Sequence, residues 1–143
     1  FRRVLFRSTP FRDFRFRGLA SASHGQVVGS RLARPLVLDD LVSHFLALIE
    51  ARLSDPELKT GMIAAELGVS LRTVQNVFAA IGTTPSAYIL ERRLTKASEN
   101  LALHRSGSIT EIAFDVGFND SAYFTRCFRQ RFGTTPSHWR EQN

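Results

Sequence analysis

Two short stretches hold the residues best suited to chemistry: Arg72, Thr73, Gln75 and Asn76 in one, and Ser121, Ala122, Thr125, Arg126 and Arg129 in the other. A guanidinium donates two parallel hydrogen bonds that match the edge of guanine, and a carboxamide bridges adenine. Ser and Thr hydroxyls reach phosphate oxygens. The small Ala122 lets a helix sit deep in a groove. These side chains therefore suit reading a DNA duplex, provided that each set lies on one face of a helix.

The sequence holds no constellation suited to catalysis. Cys127 stands alone, so neither a disulfide framework nor a zinc cluster is available, and its place between Phe124 and Phe128 predicts a buried structural thiol. His24, His44, His104 and His138 are far apart and match no metal-ligand spacing. Glu66, Glu111 and Asp115 read as solvent-facing or capping groups rather than an acid and base pair. The expectation is no enzyme, no cofactor and no metal.

The elements that carry the two stretches are written twice. Ile63-Ala64-Ala65-Glu66-Leu67-Gly68 returns as Ile112-Ala113-Phe114-Asp115-Val116-Gly117. Each copy is followed by a polar step and a second periodic segment, ending in Gly82-Thr83-Thr84-Pro85-Ser86 or Gly133-Thr134-Thr135-Pro136-Ser137. The separation drifts from 49 residues at Gly68 and Gly117 to 51 at Pro85 and Pro136, with Asp120 as one inserted residue. A solenoid would hold its period, so the pattern is a pair of related helix-turn-helix modules.

Within each copy the local signals agree. Gly68 ends the first helix where positive φ is needed, Ser70 caps the next, and Leu71–Ile81 places Val74, Val77, Phe78 and Ile81 on one face. Arg72, Asn76 and Ala79 lie opposite, with Thr73 and Gln75 on the flanks. In the second copy, Ser108 and Glu111 form a capping box for a helix running to Val116, Gly117 turns the chain, and Asp120 caps a helix whose inward face is Phe124, Cys127 and Phe128. Ala122, Arg126 and Arg129 lie opposite, beside Ser121 and Thr125.

Between the modules, Thr84-Pro85 supplies a cap and a first-turn proline, and Leu90, Leu94, Ala97 and Leu101 recur at helical spacing to about His104. Such a helix spans about 28 Å, slightly less than the ~34 Å repeat of DNA. It can set two recognition helices into successive major grooves as a monomer. An opening helix, Asp39–Leu53, presents Leu41, Val42, Phe45, Leu48 and Ile49 to the first module.

Over roughly residues 39 to 143 the chain resembles the AraC/XylS transcription regulators. The resemblance rests on Ala65-Glu66-Leu67-Gly68-Val69-Ser70, on Arg93-Leu94 with Ala97 and Leu101, and most on Ile112-Ala113 through Gly117-Phe118. It continues through Ser121-Ala122-Tyr123-Phe124-Thr125-Arg126 to Phe128, Phe132-Gly133, Thr135-Pro136-Ser137 and Arg140. It implies an all-α fold of about seven helices, with two homeodomain-like helix-turn-helix lobes (about 39–83 and 108–143) joined by a linker helix (about 85–104). It also implies a bacterial, cytoplasmic regulator, an activator that touches RNA polymerase, with double-stranded DNA as partner and a sensor and dimerisation domain preceding this part. Carried over, the first recognition helix uses Arg72, Gln75 and Asn76, and the second Ser121, Ala122, Thr125 and Arg126. Where the family commonly has Arg ahead of Phe78, this chain has Asn76, which implies weaker electrostatics in the first module.

Net charge gives less support than its total suggests. Residues 1–38 hold eight Arg and one Asp, whereas residues 39–143 hold eleven Lys and Arg against twelve Asp and Glu. Residues 1–38 thus stand at +7 and the remainder at −1, which together make the formal +6 of the chain. Local asymmetry remains, since residues 121–133 carry Arg126, Arg129 and Arg131 with no acid. Few phosphate contacts and a modest salt dependence are expected. The near-neutral charge also keeps a second reading open, a helical protein-interaction module that retains the fold without binding DNA.

Residues 1–38 alternate Phe and Arg up to Arg17 and then turn to Gly, Ala, Ser and Gln, with neither helix nor strand period. They read as a disordered arm or linker. Arg3-Val4-Leu5-Phe6-Arg7-Ser8 matches the translation of a sequencing adapter, so residues 1–8 are hypothesised to be foreign to the natural protein. Finding those codons inside a longer intact reading frame would reject that idea. No apolar run approaches the ~20 residues of a membrane span, and no secretory signal is evident.

Overall fold

A computed structural model describes residues 38–104 and 106–143; the arm reading of residues 1–38 and His24 lie outside them, Leu38 excepted. The described residues form seven helices and no strand: α1 Leu38–Arg52, α2 Thr60–Leu67, α3 Leu71–Ala80, α4 Pro85–Leu103, α5 Ile109–Asp115, α6 Ser121–Phe132 and α7 Pro136–Gln142. None of these helices is long and apolar enough to cross a membrane.

Three of the expected C-terminal ends shift by one residue, and these three shifts have one cause. Ile81, His104 and Val116, read as the last residues of their helices, are the C-caps of α3, α4 and α5. Each still donates its backbone N–H to the helix while its own dihedrals leave it. The opening helix starts at Leu38 rather than Asp39 and ends at Arg52. Asp39 and Asp40 sit in its first turn and Arg52 in its last, each complementing the helix dipole.

The duplication is visible in backbone hydrogen bonds. Gly68 N–H and Val69 N–H donate to the carbonyls of Ala65 and Ala64, at 3.3 and 3.0 Å; Gly117 and Phe118 donate to Phe114 and Ala113, both at 3.0 Å. The same pair of bonds therefore closes α2 and α5 at matching positions. Both glycines have positive φ, 64° and 97°, as this closure requires.

Caps then restart the chain. Ser70 accepts from Thr73 N–H, Thr84 from Ala87 N–H and Thr135 from His138 N–H, and both halves of the Ser108–Glu111 capping box form. Asp120 accepts from two N–H groups, those of Ala122 and Tyr123, at 2.8 and 3.0 Å. The extra residue of the second copy is thus used as the cap of α6.

Two apolar cores result. The first gathers Val42, Phe45, Ile49, Leu53, Leu58, Ile63, Ala64, Val74, Val77, Phe78 and Ile89. The second gathers Leu94, Ala97, Leu101, Ile112, Ala113, Val116, Phe118, Phe124 and Phe128. α4 divides its inward face between them, with Ile89 in the first and Leu94, Ala97 and Leu101 in the second. In the second, Phe128 lies 5.6 Å from Phe124 and 4.6 Å from Phe132 between ring centroids, and Trp139 of α7 closes the cluster while donating Nε1–H to Ser98 O at 3.2 Å.

Candidate nucleic-acid interface

α3 and α6 each bury one face and expose the other, as the spacing of their apolar residues requires. On α3, Val74, Val77 and Phe78 are buried while Arg72, Gln75, Asn76 and Ala79 are exposed. On α6, Phe124 and Phe128 are buried while Ala122, Arg126 and Arg129 are exposed. Among the described residues, Arg72, Arg126 and Arg129 form no ion pair, so their donors are free for another molecule.

The hydroxyl-bearing candidates are less free than their types suggest. Thr73 is half-buried, with its Oγ1 2.9 Å from Ser70 Oγ, inside the cap of α3. Thr125 is half-buried and donates to Ser121 O at 2.9 Å. Thr125 thus spends its donor on its own helix and offers an acceptor lone pair outward, while the Thr73 hydroxyl shares its contact with the Ser70 cap. Ser121 is likewise half-buried, at the first position of α6.

The local excess of positive charge is smaller than residues 121–133 suggest. Arg131 turns back to Glu91 on α4, with its Nε 2.8 Å from both carboxylate oxygens and its Nη2 2.7 Å from Oε1. That pair neutralises one of the three arginines, leaving Arg126 and Arg129. The partner lies 40 residues upstream, beyond the reach of any local charge count.

Cys127 also departs from expectation, being half-buried against the second core rather than sealed in it. Tyr123, to which the sequence alone gives no role, is 44% exposed and lies beneath the Arg126 guanidinium, 5.9 Å from ring centroid to the charged carbon. A cation over an aromatic face loses rotamer freedom before it meets a base. The i, i+3 spacing of the two residues was the available signal.

Asp120 adds a titratable group at the head of α6. Its carboxyl is held below the ordinary value of 3.8, first by the Tyr123 N–H bond, then by Ala122 N–H, with Arg126 acting in the same sense and desolvation opposing. A depressed carboxylate stabilises the fold fully above its unfolded value, and the contribution disappears as pH falls through the folded one. The second lobe is therefore expected to weaken below about pH 3.8. Asp120→Asn, which keeps a capping oxygen without the charge, should flatten that acid limb in a thermal-melt series; an unchanged slope would remove Asp120 from the account.

Two exposed helices, each behind a glycine turn and a side-chain cap, define a helix-turn-helix DNA-binding fold. A family model described as a helix-turn-helix domain matches residues 63–142, more than half of the chain. The chain belongs to the AraC-type helix-turn-helix family of DNA-binding transcription regulators. It is 41% identical over 93 residues to the transcriptional activator RhrA of Rhizobium meliloti (strain 1021), covering 64% of this chain and 30% of that protein. It is 35% identical over 105 residues to PqrA of Proteus vulgaris, a probable transcription factor, covering 72% of this chain and 85% of that one. A solved transcriptional regulator of AraC type from Chromobacterium violaceum superposes with a TM-score of 0.65 at 35% identity, over 71% of this chain and 89% of the other. The chain spans about 30% of the length of the first relatives it matches.

Proposed function

We propose that residues 39–143 are the DNA-reading unit of a bacterial, cytoplasmic transcription activator, with α3 and α6 entering two successive major grooves of one duplex. The observation that carries this reading is the matched pair of exposed helix faces, each with free donors and each set by the same turn. Arg126 is assigned to a guanine edge, held ready by Tyr123, and Gln75 and Asn76 to adenine. Arg72 and Arg129 are assigned to phosphates, and Ser121 and Thr125 to acceptor or close-packing contacts beside Ala122. The 19 residues of α4 span about 28 Å, which suits adjacent grooves on one side of the helix.

The relative RhrA is named a transcriptional activator, which supports activation here and, with it, contact with RNA polymerase. In a full-length regulator of the relatives' size, effector sensing and dimerisation are assigned to sequence outside residues 39–143. Few free arginines predict a shallow salt dependence, so selectivity leans on base contacts.

Mobility-shift and protection assays on promoter libraries test the assignment. Discrete protected sites about two turns long are expected. Failure to select any sequence at low salt would instead favour an interaction module, the reading that suits the −1 charge of residues 39–143.

A further inference from the structure

One turn of α4 reaches into both lobes. Glu91 holds Arg131 of α6, Arg92 pairs with Glu50 of α1 (Nη2 to Oε2, 3.2 Å), and Arg93 donates from Nε to Leu53 O at 3.1 Å and from Nη2 to Asp55 O at 2.6 Å. Successive residues leave a helix about 100° apart, so three neighbours can serve three targets. This turn lies between Ile89, which enters the first core, and Leu94, which enters the second.

Gly117 supplies the opposite side of the joint. A Cβ there would collide with Leu53 O and stand 2.7 and 2.9 Å from Nε and Nη2 of Arg93. The turn of the second lobe therefore rests directly on the α1–α2 connection of the first, beside the Arg93 guanidinium. Gly68, the matching residue of the first copy, has no atom within 4 Å of its Cβ position. Both copies need glycine for positive φ, but only the second also needs it for contact.

We propose that Arg93 and Gly117 form an inter-lobe lock that fixes the orientation of α3 relative to α6, and thereby the spacing between the two DNA segments the protein accepts. The DNA consequence rests on the reading given under Proposed function; the lock itself does not. Arg93 is a positioning residue that reaches no base. Two linked binding modules gain affinity only while their geometry permits simultaneous engagement. A loosened joint lowers affinity for the best spacing and tolerates others.

The test uses the whole chain carrying Cys127→Ser, with spin labels on cysteines at the exposed positions Ala80 and Gln130. Arg93→Gln and Gly117→Ala should each broaden the interlabel distance distribution about twofold, whereas Gly68→Ala, strained but uncrowded, should not. On a library of sites differing in spacing by single base pairs, the parent should prefer one spacing by about tenfold or more, and Arg93→Gln should reduce that preference to within about threefold. If Gly117→Ala does not fold, Arg93→Gln decides. Folded Arg93→Gln with parental width and parental spacing preference would overturn the lock. A parent that selects no sequence would overturn its DNA consequence, and the width comparison would still decide the lock.

Discussion

Arg126→Ala is expected to lower affinity for the preferred DNA sequence by roughly tenfold to a hundredfold, the worth of the about 1–3 kcal/mol carried by one bidentate arginine–guanine pair. Discrimination at one base position should relax with it, while helicity stays unchanged, because the side chain is exposed and lies over the Tyr123 ring outside the core. Arg131→Ala is the informative contrast. Its guanidinium is committed to Glu91, so that change should perturb the α4–α6 contact modestly and leave base preference alone. Equal losses in the two variants, read in a titrated mobility shift, would mean that α6 contributes bulk positive charge and not base recognition.

Phe128→Ala is expected to destabilise the fold by about 3–5 kcal/mol, the usual cost of emptying a phenylalanine site in a packed core. Phe128 is fully buried and stands among Phe124, Phe132 and Trp139, with tilted or edge-on ring contacts on three sides. Since domains of this size are stable by only about 5–15 kcal/mol, the variant should unfold at much lower urea concentration. A loss near 1 kcal/mol would show that the aromatic cluster repacks around the gap and that its ring geometry contributes little.

Much of this architecture was legible in the chain because it is local. Helix faces follow from Val74, Val77 and Phe78 or from Phe124 and Phe128; the breaks follow from Gly68 and Gly117, and the restarts from Ser70, Thr84, Ser108 and Asp120. Each such signal lies within about one helical turn of the feature it sets. The exposed candidates Arg72, Gln75, Asn76, Ala122, Arg126 and Arg129 followed from the same periodicity.

What stayed hidden depends on residues brought together from afar, or on how one atom satisfies another. The pairing of Arg131 with Glu91 and the reach of Arg93 to Leu53 and Asp55 join positions 38 to 40 residues apart, and no period announces them. The hydroxyls of Thr73 and Thr125 belong to the outer faces by spacing, yet rotate inward to backbone or cap atoms. Cys127 sits between two buried phenylalanines in the chain, but helical geometry turns its thiol toward the flank shared with Tyr123.

The division of α4 between two cores makes the stability of each lobe depend on the same helix. Ile89 seals one half and Leu94, Ala97 and Leu101 the other, so a break within this helix strips a wall from both halves at once. The repeated units therefore share one wall, and a change that one half could absorb at its outer surface would, at this helix, be felt by both.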